Sequence, residues 1–138
     1  MKKILSTIVL LLSISGVLFA QDPSLTMTVT IPVGASISGD YSIRAGCIPA
    51  GIITPTTWTA ANITFQISND NGVTWGNLRD RFGTEYTVTV ITAGDVIDLP
   101  PADWYWKKNR KFRIRSGIAS APVVQLTTDK EVKVACGR

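Results

Sequence analysis

The chain has 138 residues, with 14 Lys and Arg against 10 Asp and Glu, no histidine and two cysteines. The lack of histidine excludes histidine-based acid–base catalysis and histidine metal ligation, and two thiols cannot form a four-ligand metal site. Two of the lysines, Lys2 and Lys3, belong to a predicted signal segment, so the rest of the chain carries 12 minus 10, or +2. This small net charge provides no electrostatic argument for nucleic acid as a partner.

The first twenty residues have the layout of a secretory signal peptide. Lys2 and Lys3 precede an apolar run of about sixteen residues, and Ala20 stands before Gln21. The run is short for a membrane span, which needs about 20 apolar residues. We therefore expect residues 1–20 to be a signal peptide or, alternatively, an uncleaved hydrophobic anchor that would be the chain's contact with a membrane. Residues 21–138 are expected to form a single domain that is secreted, periplasmic or held at the cell surface.

Short runs of alternating apolar and polar residues fill the first half of this domain. The alternation is typical of strands with one buried and one solvated face. The second of these runs, around Tyr41, is predicted to be bent because Gly39 and Asp40 interrupt it. In chain order, the predicted strands of this half are residues 25–31, 37–43, 51–53, 62–68 and 74–78.

The second half continues the pattern, with basic residues on one face of its clearest strand. Lys111, Arg113 and Arg115 alternate with apolar residues, and the prolines at 100–101 must leave the sheet because they have no amide hydrogen to donate. The predicted strands are residues 85–90, 96–99, 111–116, 123–126 and 130–136. Eight to ten short strands predict an all-β fold, an antiparallel β-sandwich of jelly-roll type or a barrel.

Residues 68–75 form a tight polar turn that ends on a tryptophan. The residues Asp70 to Gly72 tolerate positive φ, and Asp and Asn side chains bond their own backbone, so this stretch is typical of a hairpin tip. The stretch resembles the Asp box, a hairpin repeated in sialidase-like propellers, with matching residues Ser68, Asp70, Gly72, Thr74 and Trp75. Because one copy in a chain of this length cannot build a propeller, we expect a structural turn, with Asp70 capping it and Trp75 packed beneath it.

One stretch of the chain combines dense positive charge with aromatic rings. The candidate binding residues in it are Trp104, Tyr105, Trp106, Lys108, Arg110 and Lys111. A cation–aromatic surface suits an anionic polysaccharide, a nucleic-acid backbone or an acidic protein partner. The alternative is a solvated strand face with aromatic rings that close one end of the sandwich.

The two cysteines predict a disulfide. An even count in an exported chain favours pairing of Cys47 with Cys136, and two buried free thiols are the alternative. The bond would close a loop of about 90 residues. It would also place the strand near Cys47 beside the last strand.

No catalytic constellation emerges from the sequence. Asp95, Asp98 and Asp103 are carboxylates that could serve glycoside hydrolysis, but they flank predicted turns, where Asp is common for backbone reasons. The chain has no Gly-rich phosphate loop and no serine nucleophile elbow. We therefore expect no enzymatic activity, no catalytic residue, no metal and no cofactor.

Seven segments, in order and spacing, carry a resemblance to a known family. They are residues 51–55, 58–66, 68–75, 83–85, 99–103, 112–117 and 121–123. The chain resembles small β-sandwich proteins, of unknown or virion-associated role, that tailed bacteriophages and prophages encode. The resemblance implies a virion-associated part, such as a capsid decoration or fibre component, with a jelly-roll or discoidin-like sandwich.

Two hypotheses for function follow. The first is a non-enzymatic structural or interaction protein, phage-related, whose partner is another protein or a second copy of the chain in a dimer or trimer. The second is an exported carbohydrate-binding module that holds a surface polysaccharide on the aromatic and basic segment. The signal segment and the cysteine pair depart from the family pattern and favour the cell surface, the periplasm or an extracellular particle, with the virion as the alternative location.

Overall fold

The computed structural model describes residues 26–42, 48–90, 92–99 and 110–137. The predicted signal segment, Cys47 and the binding candidates Trp104, Tyr105, Trp106 and Lys108 lie outside these residues, as does Asp103. Within the described ranges the chain forms ten strands and no helix, so no helix there could span a membrane. The strands are β1 (Thr26–Ile31), β2 (Tyr41–Ser42), β3 (Ile48–Ile53), β4 (Ile63–Ser68), β5 (Gly76–Asn77), β6 (Thr87–Val88), β7 (Val96–Asp98), β8 (Lys111–Ile118), β9 (Ala121–Pro122) and β10 (Lys130–Gly137).

The strands form two antiparallel sheets. The first sheet has the order β1-β10-β3-β7, and the second has the order β2-β8-β4-β5, with β6 also paired to β4 and β9 to β8. β5 and β6 follow one another along the same edge of β4, since Gln66 lies opposite Asn77 and Thr64 lies opposite Thr87. They are therefore two halves of one edge strand, which residues 79–85 interrupt.

The strand order identifies the sandwich as a jelly roll. When β5 and β6 are counted as one strand and β9 as a hairpin extension of β8, eight strands remain. The first sheet then holds the first, eighth, third and sixth strands, and the second sheet holds the second, seventh, fourth and fifth. This is the double-sheet arrangement built from two Greek keys. The predicted all-β sandwich is confirmed.

The core lies between the inner faces of the two sheets. Alternation places Val29 and Ile31 of β1 inward, and both are fully buried beside the inward residues of β10. Burial of each such side chain contributes about 1.5 to 3 kcal/mol. The buried apolar residues are Val29, Ile31, Ile52, Trp58, Ile63, Phe65, Val88, Leu99, Phe112, Ile114, Val132 and Val134.

Four predicted strands differ clearly from those observed. The strand predicted at 37–43 is reduced to β2 within the described residues. The strands predicted at 74–78 and 85–90 are shortened to β5 and β6, because residues 79–85 leave the edge of the sheet between them. The strand predicted at 123–126 is wrong. Its apolar residues suggested a strand, but the buried Gln125 connects β8 to the loop that contains Thr59: its side-chain amide donates to the Ser116 hydroxyl (2.6 Å) and its side-chain carbonyl accepts from the Thr59 amide (2.9 Å).

The bend predicted at Gly39 and Asp40 corresponds to a bulge. Ile37 lies opposite Arg115 and Tyr41 lies opposite Phe112. Four steps on one strand therefore match three on the other, and the extra residue bends the chain.

The last strand lies beside β3, the strand that follows Cys47. Gly137 pairs with Ile48, and a register shift separates Ala135 from Cys136. Cys136 is disulfide-bonded. Because Cys47 lies outside the described residues, its pairing with Cys136 stays a prediction.

Candidate interaction surface

The outer face of the second sheet carries most of the polar features that the sequence singled out. β8 and β4 alternate in step, so their outward residues stand in pairs across the strands. The register places Lys111 opposite Ser68, Arg113 opposite Gln66 and Arg115 opposite Thr64. The basic strand and the start of the Asp-box hairpin are therefore neighbours.

The Asp-box hairpin is held by hydrogen bonds from its own residues. The Ser68 hydroxyl donates to Asp70 Oδ1 (2.7 Å) and accepts from the Gly72 amide (2.7 Å). Asp70 also accepts from the amide and the hydroxyl of Thr74. Gly72 has a φ of 95°, which side-chain-bearing residues rarely adopt. Trp75 closes the turn, because its indole Nε1 donates to the Gly72 carbonyl (3.1 Å).

These bonds stabilise the ionised form of Asp70. The Thr74 hydroxyl, the Thr74 amide and the Ser68 hydroxyl, in decreasing order of effect, lower the pKa of Asp70 from 3.8 to about 2. The carboxylate is exposed at the surface, so the cause is hydrogen bonding to the charged form rather than a buried ion pair. At neutral pH the Asp70 carboxylate is therefore ionised and accepts all three of these hydrogen bonds.

Trp75 links this hairpin to the basic strand. The Arg113 guanidinium lies over the indole, with its central carbon 3.8 Å from the ring centroid. Along one edge of the same guanidinium, Arg113 Nη2 and Nε both lie 2.7 Å from Asp40 Oδ1. Arg113 therefore lies on an aromatic face and is ion-paired at the same time. These two contacts hold Trp75 and Asp40 in one geometry.

Asp40 also reaches the tip of the hairpin. Its second carboxylate oxygen lies 4.0 Å from Lys111 Nζ, and a Cβ added to Gly72 would lie 3.1 Å from the same oxygen. The bulge before β2, the Asp-box hairpin and the start of β8 therefore meet around the Asp40 carboxylate. Asp40 was not predicted as a site residue, because its bonding partner Arg113 is 73 positions away in the sequence.

A second ion pair lies farther along the same face. Glu85 accepts from Arg115 Nη1 (3.1 Å), and Asn77 accepts from Arg115 Nη2 (2.9 Å). Arg115 is buried even though it belongs to the outer face.

The tip of the loop at residues 79–85 is held by hydrogen bonds and presents an aromatic ring to solvent. Asp80 Oδ1 accepts from the amides of Phe82 (2.8 Å) and Thr84 (2.9 Å), and Arg79 donates to the Gly83 carbonyl. Phe82 itself is 78% exposed, and the Arg81 guanidinium lies 4.8 Å from its ring centroid. The Asp-box tip likewise exposes an apolar side chain, Val73, to 81%.

This region carries less unpaired positive charge than its sequence predicts. Lys111 and Arg113 share Asp40, and Arg115 is paired with Glu85. The predicted binding residue Lys111 is therefore close to a carboxylate instead of being a free cation. Arg110, just before β8, is half-buried and makes no ion pair with a described residue.

Two residues nominated for hydrolysis lie in the described part of the chain. Asp95 accepts from the Thr92 amide (2.7 Å) and so caps a turn, whereas Asp98 is exposed on β7. The described residues contain no cluster of three or more potential metal ligands.

Comparison of the chain with protein-family models finds no match, and comparison with curated proteins finds none either. Function must then be inferred from the chemistry of these surfaces.

Proposed function

We propose that this chain is a non-enzymatic interaction protein that contacts its partner through two hairpin tips on the second sheet. We call residues 70–74 and 80–84 the hairpin tips. The observation that carries the proposal is Phe82, an aromatic side chain held in solvent on a loop that Asp80 fixes by two hydrogen bonds. An aromatic side chain held in this way is the kind of anchor that protein interfaces use.

Pre-organisation explains why rigidity favours this role. Ordering a flexible loop on binding costs about 0.5 to 1.5 kcal/mol for each immobilised side chain, and a loop already held in place avoids that cost. Aromatic residues and Arg are also enriched in protein interfaces, and they supply much of the binding energy. Phe82 with Arg81 over its ring combines both residue types on one tip.

The two tips belong to one face of the molecule. One begins after Ser68, and the other is anchored through Glu85 to Arg115, which lies opposite Thr64. These anchors are four residues apart on β4, or roughly 13 Å at 3.3 Å per residue. A partner could therefore contact Val73, Phe82 and the polar strip between them together.

The proposal extends to a phage-related role, as a virion decoration or fibre-type component or as a surface-exposed derivative of one. In support, the jelly roll is a fold that viral capsid proteins and lectins share. A fold does not by itself determine function, so the assignment depends on where the protein is found. Intact-mass analysis of the chain from sedimented particles and from the secreted or periplasmic fraction distinguishes the two locations.

Site-specific photo-crosslinking in the native host tests the hairpin-tip surface. A photoreactive phenylalanine analogue replaces Phe82 in one variant and Val96 in a control, because Val96 is 72% exposed but lies on β7 of the other sheet. We expect a discrete adduct from position 82 alone, weakened when Asp80→Ala releases the loop. No adduct at position 82, or the same adduct from both positions, would refute this surface.

A carbohydrate-binding module is the alternative, and the half-exposed Trp75 favours it. Gln66 and Asn77 lie beside the Arg113 and Trp75 pair on the outer face, and such a mixture of ring, amide and cation suits an acidic polysaccharide. Titration with acidic polysaccharides should shift the indole N–H resonance of Trp75, assigned with Trp75→Phe. An unshifted resonance across such a panel excludes this face as a sugar site.

A further inference from the structure

Among the described strands, β1 has a neighbour on one side alone. It pairs with β10 on one side without a register shift, and no described strand pairs with its other side. The Thr30 amide donates to the Tyr41 hydroxyl (2.8 Å), so it points away from β10. Backbone groups alternate in direction along an antiparallel strand, and the N–H and C=O groups of Thr26 and Thr28 therefore also point to the open edge.

This edge lacks the features that normally prevent strands from associating. Exposed edges are usually short, charged, bulged or interrupted by proline. The other described edges follow that rule: β7 has three residues and ends on Asp98, β2 has two residues after a bulge, and residues 79–85 interrupt β5 and β6. β1, in contrast, has six residues, TMTVTI, with no charge and no proline. A strand of this kind is a ready template for pairing.

The space beside β1 can hold another strand. A cleft of about 490 Å³ separates β1 from the open edge of the second sheet. Residues 26–28 line one wall, and Asp40, Tyr41 and Ser42 line the other. An added strand would be bonded to β1 and enclosed by β2.

We propose that the strand that pairs with β1 is β1 of a second copy of the chain. Antiparallel pairing about a two-fold axis at Met27 places Thr26 of each copy opposite Thr28 of the other. Both residues then use their free N–H and C=O groups, which gives four hydrogen bonds, while the Thr30 amide keeps its bond to Tyr41. The two four-stranded sheets become one sheet of eight strands.

The sequence of β1 is suited to pairing with itself. Its threonines are all on the outer face and its apolar residues are all on the inner face. In the proposed register, threonine lies opposite threonine, which is a favourable cross-strand pair. Met27, half-buried in one copy, lies opposite its own symmetry mate, and no charge of β1 meets a like charge at the axis.

A proline substitution tests the hydrogen bonds without altering the ladder within one copy. Thr28→Pro removes an N–H that has no bond to β10, so the single chain should still fold, whereas two of the four intermolecular bonds are lost. Sedimentation equilibrium should show a dimer whose association constant falls roughly 30-fold, at about 1 kcal/mol for each bond. Thr28→Ala, which keeps the N–H, is the matched control and should remain within a few-fold of the parent.

A cysteine substitution tests the register and does not depend on the proline variant. Opposed residues in a pair without hydrogen bonds have Cα atoms about 4.5 Å apart, so Met27→Cys should form a disulfide-linked dimer under mild oxidation. Thr30→Cys is the control, since the two copies of residue 30 would be roughly 20 Å apart along the strands. The amide of Thr28 should also exchange more slowly with deuterium as protein concentration rises.

Three outcomes would overturn the proposal. They are a monomer at every concentration, an oligomer that Thr28→Pro does not weaken, and a cross-link that forms as readily at residue 30 as at residue 27. Association through the N-terminal apolar segment would give the second outcome. The contact uses the first sheet, whereas the hairpin tips belong to the second, so its failure would leave the proposed function intact.

Discussion

Arg113 lies between the indole of Trp75 and the carboxylate of Asp40, with its guanidinium carbon 3.8 Å from the ring centroid and two of its nitrogens 2.7 Å from Asp40 Oδ1. This contact joins three parts of the chain that are far apart in sequence. It fixes the Asp-box hairpin to the middle of the second sheet, and so determines how the tip with Val73 is presented.

The Arg113 and Trp75 contact should be measurable as a coupling energy. Arg113→Met and Trp75→Leu, made singly and together, should show an interaction of about 1 kcal/mol in urea unfolding. The same cycle on Arg81 and Phe82, where the ring is largely exposed and the distance is 4.8 Å, is the control and should give less. Equal couplings would mean that Arg113 does not anchor the hairpin.

The Asp-box turn should loosen in acid. The pKa of Asp70 is lowered in the folded chain from 3.8 to about 2. The stability that its hydrogen bonds contribute is therefore present above pH 3.8 and is lost as the pH falls through the pKa of the folded chain. Exchange of the Thr74 amide should therefore accelerate between about pH 4 and 2, relative to the trend for solvated amides. Asp70→Asn, which keeps an acceptor for that amide, should remove the pH dependence. An unchanged profile in the variant would assign the transition to another carboxylate.

Two glycines with similar backbone angles should respond differently to alanine. Gly34 (φ 78°) has open space around an added Cβ, and Gly117 (φ 87°) does not, because a Cβ there would clash with the Ala121 carbonyl oxygen. Gly34→Ala should cost about 1 to 2 kcal/mol for its conformation alone. Gly117→Ala should cost clearly more, since the β8–β9 hairpin must move. Similar losses in thermal unfolding would show that the hairpin yields easily.

Two buried cations should behave in opposite ways when their charge is removed. Arg115 is paired with Glu85, so Arg115→Met leaves a carboxylate without its partner and should cost about 3 kcal/mol. Lys130 is fully buried, and within the described part of the chain its amine lies 3.3 Å from the hydroxyls of Thr127 and Thr128 without an ion pair. Lys130→Met should therefore be neutral or stabilising by about 1 kcal/mol. A large loss for Lys130→Met would reveal a partner that the amine requires.

Reduction should destabilise the sandwich strongly. If Cys136 is bonded to Cys47, the closed loop of about 90 residues contributes on the order of 4 kcal/mol in the chain-entropy model. Urea unfolding with and without reductant, and of Cys136→Ser, measures this difference. A dimer on a non-reducing gel that reductant converts to monomers would instead show that the disulfide joins two copies of the chain.

The strands were predictable where alternation is regular. The predicted strands at 62–68, 111–116 and 130–136 correspond closely to β4, β8 and β10, because a half-buried strand must alternate. The segment 123–126 has equally apolar residues, yet the hydrogen bonds of Gln125 keep it out of the sheets. Periodicity shows which side chains are apolar, but it does not show that the Gln125 side chain bonds two distant parts of the chain.

The candidate surface was less predictable than the fold. The residues of the Asp-box hairpin are close in sequence, so their turn could be inferred from local chemistry. The pairing of Asp40 with Arg113, and of Glu85 with Arg115, depends on strand order, which one sequence does not reveal. For the same reason the sequence did not reveal that residues 79–85 interrupt one edge strand and expose Phe82.

Retention of the partner by chains that differ at Phe82 shows whether the hairpin-tip surface makes the contact. The parent chain, Phe82→Ser and Val96→Ser are produced in the native host, and each is quantified in the particle or surface fraction and in the free soluble fraction. Both replaced side chains are exposed, so neither change should unfold the domain. We expect Phe82→Ser to shift the bound-to-free ratio at least tenfold, or about 1.4 kcal/mol, while Val96→Ser leaves it unchanged. Equal ratios for all three chains would contradict the hairpin-tip surface.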